Sequence, residues 1–208
     1  MSRSSLWVMD KNFNGEELKE FSNSWWFAPV AWDILLNKYI PSKPWEEKKH
    51  YVTAAMFDDK LFNKLNEKIN ESDTQEDRIL WEAGNQQVFF TKDKEFVAEC
   101  ITRFLTTNSE LATDLGGHIY TRFAEVAAEI RQLDEKQYPY FILKNTSCDD
   151  NVEFWFDKYN DETEECEPCT LKDWDKFLTE FVVIESDKIV NFISNVDYFG
   201  DKAAGEQS

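Results

Sequence analysis

Two cysteines three positions apart, Cys166 and Cys169, have the spacing in this chain that most directly suggests chemistry. Thiols at this spacing bind zinc or cycle as a redox pair. Zinc in a structural site takes four ligands, and Cys148 is a further candidate, but no second close pair completes the set. Glu165 and Glu167 beside the thiols oppose thiolate formation by like-charge repulsion. We therefore expect no cofactor, with zinc binding or redox cycling as alternatives.

An acidic run from Asp149 to Glu167, which contains only one lysine, Lys158, is the second feature. Such runs are usually solvated surface. Carboxylates spaced along a strand and its loop also imitate phosphates or bind the Lys and Arg side chains of a partner. Aromatic residues among them suit interface anchors. The candidate partner-binding residues in this run are Asp149, Asp150, Glu153, Trp155, Asp157, Tyr159, Asp161, Glu162, Glu164 and Glu165.

Large aromatic residues also cluster from Trp25 to Trp32. Such residues mostly fill cores. Adjacent residues cannot face the same way in regular structure, so one of Trp25 and Trp26 is expected at the surface. We include both among the candidate partner-binding residues.

Residues for catalysis are scarce. His50 and His118 are the only side chains of the chain whose ordinary pKa suits a base near neutral pH. The sequence contains no phosphate-binding loop, dinucleotide fingerprint or kinase motif. A metal-dependent enzyme that uses the carboxylates around 149–165 is the enzymatic alternative, although no Lys or His is placed to activate water. We expect a protein without catalytic activity.

The charge of the chain limits its partners. The 208 residues carry a net charge of −18, from 41 acidic and 23 basic residues. Nucleic acids and anionic membranes attract Lys and Arg, so a chain this negative is repelled by both. No apolar run reaches the roughly 18–20 residues that span a bilayer, and no signal-peptide pattern is present. With Cys100 on the apolar face of a helical pattern, a reduced, cytoplasmic protein of a bacterium or an infected host cell is expected.

The elements that must position these residues follow from hydrophobic periodicity. A short strand is expected over 5–9 and a turn over 10–15, and Asn14 with Glu17 predicts a helix start with Leu18 and Phe21 on one face. The segment 51–57 fits either a strand or a helical turn. Apolar residues at helical spacing predict further helices over 29–39, 61–69, from about 75, over 96–105 and over 118–134.

The last third of the chain has a different pattern. Strands are expected over 140–144 and 152–159, a helix over 170–181, and a hairpin of strands 181–185 and 189–194 around a turn at 186–188. The fold expected is α+β, with a helical N-terminal two thirds packed on a mostly antiparallel C-terminal β-sheet that contains one inserted helix. Residues 1–199 then form a single domain, and 200–208 a disordered tail.

With catalytic motifs absent, the sequence favours an acidic binding or inhibitory protein that docks on a basic protein surface. Nucleic-acid-binding enzymes present such surfaces, and immunity proteins and phage inhibitors of host defence exploit them by imitating nucleic-acid charge. A structural or assembly subunit is the remaining alternative. Direct binding to nucleic acid or to a membrane is not expected.

Overall fold

The computed structural model of the chain describes residues 3–21, 28–40, 59–146, 157–168, 180–194 and 197–198. Five helices and eight strands lie in these ranges. The helices are α1 (Ala28–Tyr39), α2 (Asp59–Asn70), α3 (Gln75–Gly84), α4 (Lys94–Thr107) and α5 (Gly117–Arg131). The strands are β1 (Arg3–Met9), β2 (Gly15–Phe21), β3 (Val88–Phe90), β4 (Tyr140–Thr146), β5 (Asp157–Asn160), β6 (Glu165–Pro168), β7 (Glu180–Glu185) and β8 (Lys188–Ser194).

Six of these strands form one mixed sheet in the order β2-β1-β4-β3-β7-β8. The pairing of β3 with β7 is parallel, and the other four pairings are antiparallel. β1 lies between β2 and β4, so the first strand of the chain is interior to the sheet. β5 and β6 form a separate two-stranded sheet.

The sheet carries apolar side chains on both faces because successive residues of a strand point to opposite sides. In β4, Phe141 and Leu143 join the main core, to which all five helices contribute. Tyr140 and Ile142 point to the other face and join a second cluster. Within the described residues, that second cluster contains strand and loop residues but no residue of the five helices. The five helices α1 to α5 therefore pack on one face of the sheet.

The second cluster is mainly aromatic. Phe13 stacks on Tyr140 with ring centroids 4.9 Å apart, and Phe181 stacks on Tyr198 at 4.2 Å. The hydroxyls of Tyr140 and Tyr198 lie 2.6 Å apart. Phe13 has φ 66°, a left-handed conformation unfavourable for a bulky residue, in the turn between β1 and β2. Its ring contacts offset that cost.

The periodicity of the helices predicted their inward faces. In α4, Val97, Ala98, Cys100, Ile101, Phe104 and Leu105 are all buried. In α5, Ile119, Phe123, Val126, Ala127 and Ile130 are buried. Helices were expected at each of the five positions where they occur, and those predictions are confirmed. The hairpin near the C-terminus is confirmed too, with Ser186 and Asp187 at φ 50° and 57° in its turn.

The fold class predicted from the sequence is wrong. Helices do not occupy an N-terminal two thirds, because β1 and β2 open the chain and belong to the same sheet as β7 and β8 near the end. The sheet is mixed and is assembled from both ends of the chain rather than built at the C-terminus. Long-range strand pairing decides this arrangement, and local periodicity carries no record of it.

One element was assigned to the wrong class, and two strands, β3 and β6, were missed. The helix predicted from Asn14 is strand β2, since Leu6 pairs with Lys19 and Trp7 with Glu17 across a bulge. The three-residue spacing of Leu18 and Phe21 fits a helix, but pairing with β1 prevails. β3 is only three residues long, too short for a period to be visible.

Several predictions fall outside the described residues: the segment 51–57, most of the inserted helix over 170–181, most of the strand over 152–159, and the tail from 200. The last two residues of the predicted helix, at 180 and 181, belong to strand β7 instead. The extent of a single domain over 1–199 therefore stays a prediction. Among the helices described, none combines the length and apolar character that crossing a bilayer requires.

Candidate functional site

The acidic run contains a β-hairpin, hereafter the acidic hairpin, formed by β5, β6 and the residues between them. Asp157 pairs with Pro168 and Asn160 with Glu165 in antiparallel register. Residues 161–164 make the connecting turn. Among the described strands, neither β5 nor β6 pairs with the six-stranded sheet, so the hairpin forms a two-stranded sheet of its own.

Asn160 builds that turn. Its side-chain Oδ1 accepts hydrogen bonds from the backbone N–H of Glu162 at 2.9 Å and of Thr163 at 3.4 Å. Its carbonyl oxygen accepts one from the N–H of Glu164 at 2.9 Å. Asparagine is favoured here because its short amide imitates a backbone turn. The shape of the turn thus depends on backbone groups and one neutral side chain, and not on the carboxylates.

Glu164 adopts φ 57°, the left-handed region that glycine and asparagine occupy with least strain. A glutamate at this position costs stability that a glycine would not cost. The turn therefore carries a charge at a place where local conformation alone favours a small residue.

Four carboxylates occupy the tip of the acidic hairpin, and all five residues from 161 to 165 are exposed. Asp161, Glu162, Glu164 and Glu165 make no ion pair with any residue that the structure describes. Like charges this close repel one another and are partly screened by salt. A cationic surface that enters this field gains charge-assisted hydrogen bonds without first breaking internal ones.

The arginines of the described helices are in the opposite situation. Each of the four arginines in helices α3 to α5 is bound within the protein. The ion pairs are Arg103 with Glu76 and Glu99, Arg122 with Glu125, and Arg131 with Glu95 and Glu99. The fourth, Arg78, donates to the carbonyl oxygen of Ile189 at 3.1 Å. Each of these guanidinium groups therefore has an acidic or backbone partner within the chain.

The structure places part of the predicted partner-binding set together. Asp161, Glu162, Glu164 and Glu165 share the tip, and in β5 Asp157 pairs with Pro168 and Tyr159 with Cys166. The other candidates lie outside the described residues, so their place in one surface stays a prediction. They are Asp149, Asp150, Glu153, Trp155, Trp25 and Trp26.

The cysteines divide between core and hairpin. Cys100 is a free thiol in the main core, and burial, followed by the charge of Glu76, raises its pKa to about 12. Cys166 lies in β6, while Cys148 and Cys169 fall outside the described residues. No three His, Cys, Asp or Glu side chains of the described ranges come together as metal ligands. Zinc binding at the Cys166 pair therefore stays an untested alternative.

A second group of polar residues, which the sequence did not reveal, lies inside the helical layer around Asp77. We call Asp77, Lys38, Tyr39 and Asn108 the Asp77 network. The Asp77 carboxylate is fully buried and accepts hydrogen bonds from Lys38 at 2.5 Å, Tyr39 at 2.7 Å and Asn108 at 2.9 Å. Lys38 also donates to the Asn108 side chain at 2.8 Å.

The Asp77 network joins α1, the first turn of α3 and the residue that ends α4. Burial and the hydrogen bond to Asp77 raise the pKa of Tyr39 to about 12, so its hydroxyl keeps its proton and donates. A buried carboxylate with this many donors is stable without a ligand. Its partners lie far away along the chain, so Asp77 looks from sequence like an ordinary acid in a first helical turn. We assign it a structural role.

The tip of the acidic hairpin is thus a group of exposed acids that form no ion pair with any described residue, whereas in the Asp77 network the buried acid is fully hydrogen-bonded. Comparison with known proteins adds no further constraint: no protein-family model, no curated protein and no solved structure matches this chain.

Proposed function

We propose that the chain is a non-enzymatic binding or inhibitory protein whose acidic hairpin docks on a basic surface of a partner protein. The observation that supports it is the tip, where four exposed carboxylates that form no ion pair with the described residues lie on a turn built by Asn160. A preformed turn loses little conformational freedom on binding, which favours affinity.

The balance of charge supports the same proposal. The chain carries 41 acidic and 23 basic residues, and the arginines of the helices are already paired with acids or backbone. A negative surface steers a basic partner and repels polyanions. The partner class is a protein with a Lys- and Arg-rich surface, such as a nucleic-acid-binding enzyme whose site the carboxylates occupy in place of phosphates. An immunity or anti-defence protein, acting in the cytoplasm of a bacterium or an infected host cell, fits this description.

Partner capture from host lysate with two matched variants tests the proposal. The tip variant replaces the carboxylates at 161, 162, 164 and 165 by amides. The control variant replaces four exposed acids elsewhere, none of which forms an ion pair with a described residue. These are Glu67, Glu71, Glu110 and Asp114. Both variants lose the same charge, so general electrostatic attraction falls equally in both.

We expect the wild-type and control proteins to retain the same basic partner and the tip variant to lose it. Retention by the wild type should weaken as salt rises, because exposed charges are screened within about 10 Å at 0.1 M salt. If both variants lost the partner equally, the interaction would depend on net charge alone and not on the tip. Saturable binding of DNA or RNA by the isolated protein, or turnover abolished by a single carboxylate change, would overturn the proposal.

A further inference from the structure

Glu82 is a buried acid that the Asp77 network does not include. Its side chain is on α3, and only 4 % of the residue is exposed. Its carboxyl makes no hydrogen bond with any residue in the described ranges. Burying an ionised carboxylate without a partner is costly, and a group in that position keeps its proton instead.

Glu82 shares a helix face with two residues that hold the edge of the sheet. Gln75 and Arg78 precede it by seven and four positions, a spacing that places all three on one side of α3. Gln75 Oε1 accepts from the backbone N–H of Ile189 at 2.9 Å, and Arg78 donates to the Ile189 carbonyl at 3.1 Å. Ile189 belongs to β8, an edge strand of the sheet. Two α3 side chains therefore satisfy edge groups that would otherwise face solvent or another strand.

We propose that Glu82 is a proton-dependent switch for this edge: its neutral carboxyl leaves Arg78 bound to β8, and its ionised form competes for Arg78 and loosens α3 from the edge. Arg78 has the capacity for such an exchange, because its Nε is buried and has no hydrogen-bond partner in the described part of the chain. An arginine and a glutamate four positions apart on a helix are within reach of each other.

Two charged groups act on the Glu82 carboxyl. Burial is the largest influence, the negative charge of Glu180 at the start of β7 adds to it, and Arg78 opposes both. Together they raise the pKa of Glu82 from 4.5 to about 8. A lysine and an arginine on the helices that flank α3 are bound to other acids: Lys38 of α1 contacts Asp77, and Arg103 of α4 contacts Glu76.

The direction of the pH effect follows from this raised pKa. We call the state in which Arg78 is bound to β8 the closed state. In an opened or unfolded state Glu82 ionises near its ordinary pKa of 4.5, whereas in the closed state its pKa is about 8. The protonated carboxyl therefore stabilises the closed state relative to the opened state fully at a pH below 4.5. This stabilisation decreases as the pH rises towards 8 and changes no further above 8. The opening equilibrium shifts by up to about tenfold per pH unit between these two pH values, because one pKa unit is about 1.4 kcal/mol.

Hydrogen exchange at the Ile189 amide tests the switch, since that N–H donates to Gln75. Protection factors, which correct for the intrinsic pH dependence of exchange, are compared for wild type, Glu82→Gln and Glu67→Gln. The control residue Glu67 is an exposed acid on α2. We expect protection to fall with rising pH in the wild type and in the control, and to stay level in Glu82→Gln. The same slope in all three proteins would overturn the proposal.

A measurement on the intact wild type keeps the proposal testable if Glu82→Gln fails to fold. The carboxyl carbon of Glu82, followed by ¹³C NMR, should titrate with a midpoint near 8. A midpoint near 4.5 would show that Glu82 is ionised in the closed state and would overturn the switch.

Discussion

The Asp77 network and the tip of the acidic hairpin use the same chemical group in opposite ways. At Asp77 one carboxylate is fully buried and accepts three side-chain hydrogen bonds. At the tip four carboxylates are exposed and form no ion pair with described residues, while backbone groups and Asn160 hold the turn. The first arrangement makes the fold depend on the acid. The second leaves the acids without a part in the fold.

This difference separates acids that stabilise from acids that remain available for binding. A buried, fully partnered carboxylate has no capacity for a ligand, and its removal strands its donors. An exposed one contributes little to folding, because its charge is solvated in both folded and unfolded states.

Removing the buried carboxylate should have the largest effect. Asp77→Ala leaves Lys38, Tyr39 and Asn108 without their shared acceptor. Removing one partner of a fully buried ion pair lowers the free energy of unfolding by about 3–5 kcal/mol. The side chain of Lys38 is 30 % exposed, so water partly replaces the lost partner and we expect about 3 kcal/mol. Urea denaturation measures the loss, and Asp77→Asn, which keeps one acceptor oxygen, should lose less.

The close packing of the same helix gives the second effect. A Cβ at Gly84 would lie 2.9 Å from Trp32 Nε1, so Gly84→Ala forces the indole to move. We expect a net loss of about 1 kcal/mol, since overpacking costs about 1–3 kcal/mol and alanine returns about 0.5–1 kcal/mol of helix propensity. In a Trp32→Phe background the same change should become neutral or stabilising by thermal unfolding. If Gly84→Ala destabilised the Trp32→Phe protein as much as the wild type, the strain would not come from the contact with Trp32.

The turn of the hairpin provides a smaller effect of opposite sign. Glu164→Asn puts a residue that tolerates the left-handed conformation at φ 57° and should stabilise the turn by about 0.5–1 kcal/mol. Protection of the amide at 164, which bonds to Asn160, should rise about two- to fivefold. Glu162→Asn removes the same charge without this benefit and serves as control. An equal gain in both variants would assign the effect to charge repulsion.

Neutralising the tip should have the smallest effect on folding. With amides at 161, 162, 164 and 165, the free energy of unfolding should stay within about 0.5 kcal/mol of wild type, as for surface changes in general. Urea titrations beside Asp77→Ala make the contrast direct. A loss comparable to that of Asp77→Ala would show that the tip belongs to the folding core, and the separation between the two regions would fail.

Features that depend on near neighbours in the chain were predictable. The buried residues of α4 recur with helical spacing, and the turn at Ser186 and Asp187 is marked by polar residues between apolar runs. The exposure of Asp161 to Glu165 followed from their density of charge. Six of the candidate partner-binding residues, however, lie outside the described ranges, so their membership of one surface with the hairpin tip stays a prediction.

Features that depend on distant partners were not predictable. β2 has a spacing that fits a helix, yet hydrogen bonds to β1 make it a strand. Asp77 meets Lys38 across 39 positions and Asn108 across 31, and no local pattern records either contact.

The sequence by itself determined the excess of negative charge, its concentration in the run from Asp149 to Glu167, and the inward faces of the helices, because charge and periodicity are local properties. Only the tertiary structure decided that strands from both ends of the chain share one sheet. It also decided which acids are buried with hydrogen-bond partners, as Asp77 is, and which are buried without one among the described residues, as Glu82 is. Both outcomes arise from contacts between segments far apart in the chain, where hydrogen-bond satisfaction and desolvation outweigh local preference.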